Sequence, residues 1–68
     1  MDEDALNLSI RKFLKMVGIH SQREIEQAVA QALTSGLIRG DETLSARMTL
    51  EIGALSLKVG FDGEIQLG

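Results

Sequence analysis

Ala46-Arg47-Met48-Thr49-Leu50-Glu51-Ile52-Gly53-Ala54-Leu55-Ser56-Leu57-Lys58-Val59-Gly60-Phe61 reads as a β-hairpin. Ala46, Met48, Leu50 and Ile52 alternate with Arg47, Thr49 and Glu51. The alternation resumes as Leu55, Leu57, Val59 and Phe61. A two-residue turn at Gly53-Ala54 pairs Ile52 with Leu55, Leu50 with Leu57, Met48 with Val59 and Ala46 with Phe61. Every apolar side chain of the ribbon then falls on one face. Glycine at the first turn position suits a type II′ turn, where φ is positive and a Cβ would clash.

The strand reading extends toward the C-terminus. Glu64 to Leu67 is expected to return as a third strand after Asp62-Gly63. A two-residue Asp-Gly turn would set Phe61 opposite Glu64. A loop one residue longer, or a bulge at Gly63, pairs Phe61 with Ile65 and Val59 with Leu67. Because a slip of one residue moves the whole apolar set to the other face, the longer loop is preferred.

Upstream, the spacing predicts two helices. Leu6, Ile10, Phe13, Leu14 and Val17 share one helical stripe from about residue 2 or 3 to residue 17. Asp2, Glu3 and Asp4 stand at the positive end of that helix dipole and Lys15 near the negative end. Gly18 reads as the C′ residue and Ile19 as its hydrophobic contact. Ser21-Gln22-Arg23-Glu24 fits a capping box that opens a second helix, expected to run to about residue 35 with Gly36 as its stop. Its stripe is Ile25, Ala28, Val29, Ala32 and Leu33. Leu37-Ile38-Arg39 forms a short extended piece before the turn-prone Gly40-Asp41-Glu42. The predicted fold class is α+β, ααβββ: two N-terminal helices packed on one face of a three-stranded antiparallel meander, with residues 55–61 as the central strand, in two layers.

Composition bounds the function. Sixty-eight residues make one small domain, 1–68, which buries only about 60% of its unfolded surface. There is no Cys, so disulfides and thiolate metal sites are excluded, and a single histidine, His20, gives no basis for a His-rich site. Phe13 and Phe61 are the only aromatics. Stability must come from efficient packing or from oligomerisation. A net charge of −3 argues against nucleic-acid or anionic-membrane partners. No apolar run approaches the roughly 20 residues of a membrane span. The acidic start Met1-Asp2-Glu3-Asp4 is unlike a signal peptide, so a cytoplasmic protein is expected.

Candidate sites are few. Ser9-Ile10-Arg11-Lys12 matches Ser-x-x-Lys by letters, but the companion motifs of serine acylases are missing. Arg11, Lys12 and Lys15 form a basic patch on the first helix, suited to a phosphate backbone or an acidic protein surface, but ordinary solubility and dipole complementation at Lys15 are the preferred account. Leu8 lies among these cations and is the residue of that face best suited to contact another chain. His20 sits in the predicted connection between helices, without obvious partners. Asp41-Glu42 and Asp62-Gly63-Glu64 lack the ligand count of a Ca²⁺ loop and read as turn chemistry. Asn7-Leu8-Ser9 is a glycosylation sequon only by letters. The polar face of the sheet, with Arg47, Thr49, Glu51 and Lys58, is expected to be wet unless a partner covers it. Open strand edges invite pairing with a second chain, and an isologous dimer would suit so small a core.

A helix pair followed by a hairpin also resembles a winged helix-turn-helix module, which would imply nucleic-acid binding. The surface of the second helix offers Arg23 among Glu24 and Glu26, a poor footprint for a phosphate backbone, and a third helix is missing. Residues 7–15, Val17-Gly18-Ile19, residues 21–28, Ser35-Gly36 and residues 46–50 together resemble a family of small bacterial proteins known as a domain of unknown function. Its most distinctive run is Ser21-Gln22-Arg23-Glu24-Ile25-Glu26. The resemblance implies a bacterial, stand-alone domain and supplies no activity, cofactor or catalytic residue. No nucleophile, base and oxyanion donor cluster together in the sequence. The expectation is therefore a non-enzymatic module without a cofactor, binding an unidentified protein or a second copy of itself.

Overall fold

A computed structural model describes residues 1–68. The order is αββ: α1 over Glu3–Thr34, β1 over Thr43–Ile52, a 3-10 turn over Gly53–Leu55 and β2 over Leu57–Gln66. The chain divides into two compact units, Met1–Leu37 and Ile38–Gly68.

The first unit is one 32-residue helix, about 48 Å long at 1.5 Å per residue. Asp2 is its N-cap, its carboxylate accepting from the amides of Asp4 and Ala5 at 3.0 and 3.1 Å. At the far end Gly36 takes φ +77°. The Leu37 amide donates to the Ala32 carbonyl at 2.9 Å, and the Gly36 amide to the Leu33 carbonyl at 3.2 Å. That pair of bonds is a Schellman motif, so the predicted stop at Gly36 stands.

The predicted stop at Gly18 does not. Gly18, Ile19, His20 and Ser21 are all helical, and two helices are replaced by one. The energetics favour continuity. A glycine inside a helix costs about 1 kcal/mol relative to alanine. Breaking the helix there would orphan four carbonyls and four amides, at roughly 1 kcal/mol of net stabilisation per lost bond. A capping box and a Schellman motif recover only part of that. Inside an unbroken helix the Ser21 and Glu24 amides already have backbone acceptors, so the box has nothing to cap. The two apolar stripes also stay in phase. Leu6, Ile10, Phe13, Val17, Ser21, Ile25, Ala28 and Ala32 follow one another at steps of three and four across the expected break.

The second unit is a two-stranded antiparallel ribbon, not a meander of three. Ile52 stands opposite Leu57, Leu50 opposite Val59, Met48 opposite Phe61 and Leu44 opposite Ile65. The register therefore differs from the predicted one by two residues, and Leu50 does not face Leu57. A two-residue slip preserves the faces, so the apolar side is unchanged. What separates the two registers is the polar side. The observed one sets Arg47 against Asp62 and Glu51 against Lys58. The predicted one would have set Arg47 against Gly60 and Glu51 against Ser56. Opposite charges directly across an antiparallel pair contribute about 0.2–1 kcal/mol each, and the observed register has two such pairs.

The connection lengthens accordingly. Gly53–Leu55 forms a 3-10 turn, and Ser56 closes it with φ +51°, its amide donating to the Gly53 carbonyl at 3.0 Å. Gly53-Ala54 is thus not a type II′ turn. The expected third strand is the second half of β2, which runs straight through Asp62-Gly63. Phe61, Gly63, Ile65 and Leu67 share one parity, so an uninterrupted strand keeps the apolar alternation without loop or bulge. The Leu67 amide extends the ladder by donating to the Glu42 carbonyl at 2.9 Å.

No side chain in the chain is buried. Phe13, Leu14 and Phe61 remain 48%, 57% and 58% exposed.

Candidate interaction surfaces

Four surfaces follow from these elements, two on each unit. The first is the stripe of α1 described above. Its N-terminal half carries Leu6, Ile10, Phe13, Leu14 and Val17, and its C-terminal half carries Ser21, Ile25, Ala28, Val29, Ala32 and Leu33. The small residues of that face, Ser21, Ala28 and Ala32, are confined to its C-terminal half.

The second surface is the opposite side of α1. Leu8, Arg11, Lys12 and Lys15 recur at steps of three, one and three, so the continuous helix gathers all four predicted residues on that side. Leu8 is 55% exposed. None of the three cations lies in an ion pair.

On the hairpin, Leu44, Ala46, Met48, Leu50 and Ile52 share a face with Leu57, Val59, Phe61 and Ile65. The reverse face holds the other predicted residues, Arg47, Thr49, Glu51 and Lys58. There the charges are paired rather than free. Arg47 Nη1 donates to both oxygens of Asp62 at 2.9 and 3.0 Å, and Lys58 Nζ lies 4.0 Å from a Glu51 oxygen. Thr49 stands opposite Gly60. A Cβ at Gly60 would collide with the Arg47 guanidinium, so glycine leaves the room in which that arginine lies flat on the ribbon. Asp62 and Gly60 were not among the predicted residues. The correct register was the signal that would have found them.

The joint before β1 carries the one strongly perturbed titrating group. Oε1 of Glu42 accepts from the amides of Arg39, Gly40 and Asp41 at 3.1, 2.9 and 3.2 Å, and Oε2 from Arg39 at 2.9 Å. Gly40, at φ +105°, turns these successive amides toward one point. The Arg39 and Gly40 amides in particular hold the Glu42 carboxyl at about 2, below its ordinary value of 4.5, against a smaller opposing push from desolvation. Turn chemistry explains Glu42, as the sequence suggested, although the nest itself has no periodic signature.

His20 is a helical residue, not a loop residue, and no three His, Asp or Glu side chains converge to hold a metal ion. No helix is long and apolar enough to cross a membrane. The turn required by a winged helix-turn-helix comparison is absent, since residues 18–21 continue α1.

Fold and surfaces define a small αββ module with a long amphipathic helix and a hairpin whose two faces differ in polarity. It belongs to the family of unknown function DUF6494, whose match covers residues 1–68, the whole chain. No curated protein and no solved structure matches it.

Proposed function

We propose that the chain is a non-enzymatic protein-interaction module of the bacterial cytoplasm, binding through the apolar stripe of α1 and the apolar face of the hairpin. One observation carries this reading: both faces are apolar apart from Ser21 on the stripe, and every residue on them is exposed or at most half-buried. Contiguous exposed apolar surface rimmed by polar residues marks interaction sites in soluble proteins. The paired charges on the reverse of the hairpin add solubility there and leave the apolar side as the adhesive one.

A photo-crosslinking amino acid placed in the native host at Val17, on the stripe, and separately at Lys12, on the outer side, tests the proposal. Specific protein adducts from Val17 and none from Lys12 are expected. Absence of adducts at Val17 overturns the reading. So does a salt-sensitive shift of a DNA or RNA probe that is lost when Arg11, Lys12 and Lys15 are replaced together by alanine.

A further inference from the structure

Building on that interaction reading, we infer that the occupant of the α1 stripe is a second copy of this chain, with its helix antiparallel and the two-fold axis level with Ile19. Eight stripe positions pair off about residue 19, while Leu14, Val29 and Leu33 fall outside the pairing. Leu6 and Ala32 lie equally far from residue 19, as do Ile10 and Ala28, Phe13 and Ile25, and Val17 and Ser21. An antiparallel partner centred there faces each of these with its counterpart. Leu6 of one helix lies over Ala32 of the other, and Ile10 over Ala28. At these two levels a bulky residue of one helix meets an alanine of the other, as close helix packing requires.

A parallel pair lacks this match. Each position would meet itself, setting Phe13 against Phe13 and Ala28 against Ala28 rather than large against small. Glu24 lies at the edge of the stripe and would meet its own copy. Asp2, Glu3 and Asp4 of both chains would gather at one end. Antiparallel packing places the two acidic ends apart and sets Glu24 beside Leu14, where its methylenes cover apolar surface while the carboxylate reaches water. The stripe from Leu6 to Ala32 is about 39 Å long on a helix about 10–12 Å across. A third of that circumference on two copies amounts to about 900 Å², just below the roughly 1,000 Å² that a stable interface clears, so the pair is a weak, concentration-dependent one. Disulfides are ruled out because the chain has no cysteine, which leaves oligomerisation as a route to stability for so short a protein.

The absence of native cysteine makes site-specific spin labelling direct. Asp4→Cys and Ile19→Cys variants of the full chain, labelled separately, report the arrangement by pulsed dipolar spectroscopy. Labels at residue 4 should lie about 45 Å apart along the axis, set by the 1.5 Å rise, and labels at residue 19 about 20 Å apart across a pair of helices roughly 10 Å apart. Short distances at both positions overturn the antiparallel arrangement. Sedimentation supplies the second arm. Ala28→Leu overfills the site facing Ile10 and should weaken the dimer roughly tenfold or more. Ile10→Ala in the same chain exchanges large for small and should restore it to within about threefold. A helical protein that sediments as a monomer at about 100 μM overturns self-association. The wider interaction reading then stands or falls on whether Val17 cross-links to a different protein in the host.

Discussion

Glu42 shows what one carboxylate does at a joint. Ile38 to Asp41 leave the helix cap and must enter β1, and their amides have no ladder partners until the strand begins. Glu42 collects the Arg39, Gly40 and Asp41 amides on its own oxygens, and the Arg39 side chain pairs with Asp41 at 3.3 Å alongside. A carboxylate that accepts several amides favours its charged form, and linkage then fixes the sign. The folded value, about 2, lies below the ordinary 4.5, so the contribution to stability is complete above about pH 4.5. It is lost progressively as the pH falls from there through about 2. Amide chemical shifts of Arg39 and Gly40 should therefore titrate together with a midpoint near 2, and Glu42→Gln should abolish that transition. A midpoint near 4.5 would show that the nest does not form in solution.

Between Val17 and Ser21 the element turns on a competition that local signals described incorrectly. Gly18 and Ser21 carry the chemistry of a stop and a start, but neither is exclusive to helix ends. The unbroken backbone ladder outweighs them. Gly18 gives a clean discriminator, because a Cβ there meets nothing within 4 Å and its φ is not positive. Gly18→Ala should raise the stability of α1 by about 1 kcal/mol, the propensity difference, seen as increased helical signal and a higher melting temperature. If Gly18 ended a helix in the left-handed region, the same change would cost about 1–2 kcal/mol. Gly36→Ala, at φ +77°, should behave in that second way. The helix start near residues 2 and 3, the stop at Gly36, the apolar faces and the existence of the hairpin were all legible, because each rests on a local period or a terminal residue. Helix continuity was legible only in the phase shared by Val17, Ser21 and Ile25, and strand continuity only in the parity shared by Phe61, Ile65 and Leu67. The register was legible only in charges: the apolar alternation is satisfied by either of two registers, while Arg47 with Asp62 and Glu51 with Lys58 select one. The basic side of α1 was legible as a patch, whereas the role of Gly60 depends on a side chain from the other strand.

At the scale of the whole molecule, the decisive quantity is burial, and it is missing. Helices in proteins owe most of their stability to packing of an amphipathic face. A two-stranded hairpin alone is marginal in water. In this chain both kinds of element are present with their apolar faces exposed, and the ion pairs on the hairpin are exposed too, each worth at most about 1 kcal/mol. A chain whose apolar faces are covered only on association has a stability that depends on concentration by mass action, since whatever binds the folded form and not the unfolded one raises the apparent melting point. Thermal unfolding followed by circular dichroism at about 2 μM and about 200 μM should show a midpoint several degrees higher in the concentrated sample. The hundredfold change in protein shifts the balance by about 2.7 kcal/mol per dimer, about 1.4 kcal/mol per chain, and for a domain near this size each kcal/mol moves the midpoint by about 4–8 °C. Phe13→Ser, which removes the largest side chain of the stripe and leaves the helix caps intact, should flatten that dependence. A sharp transition at one temperature across the whole range would mean that the chain covers its own apolar faces in solution, and the case for association would fail.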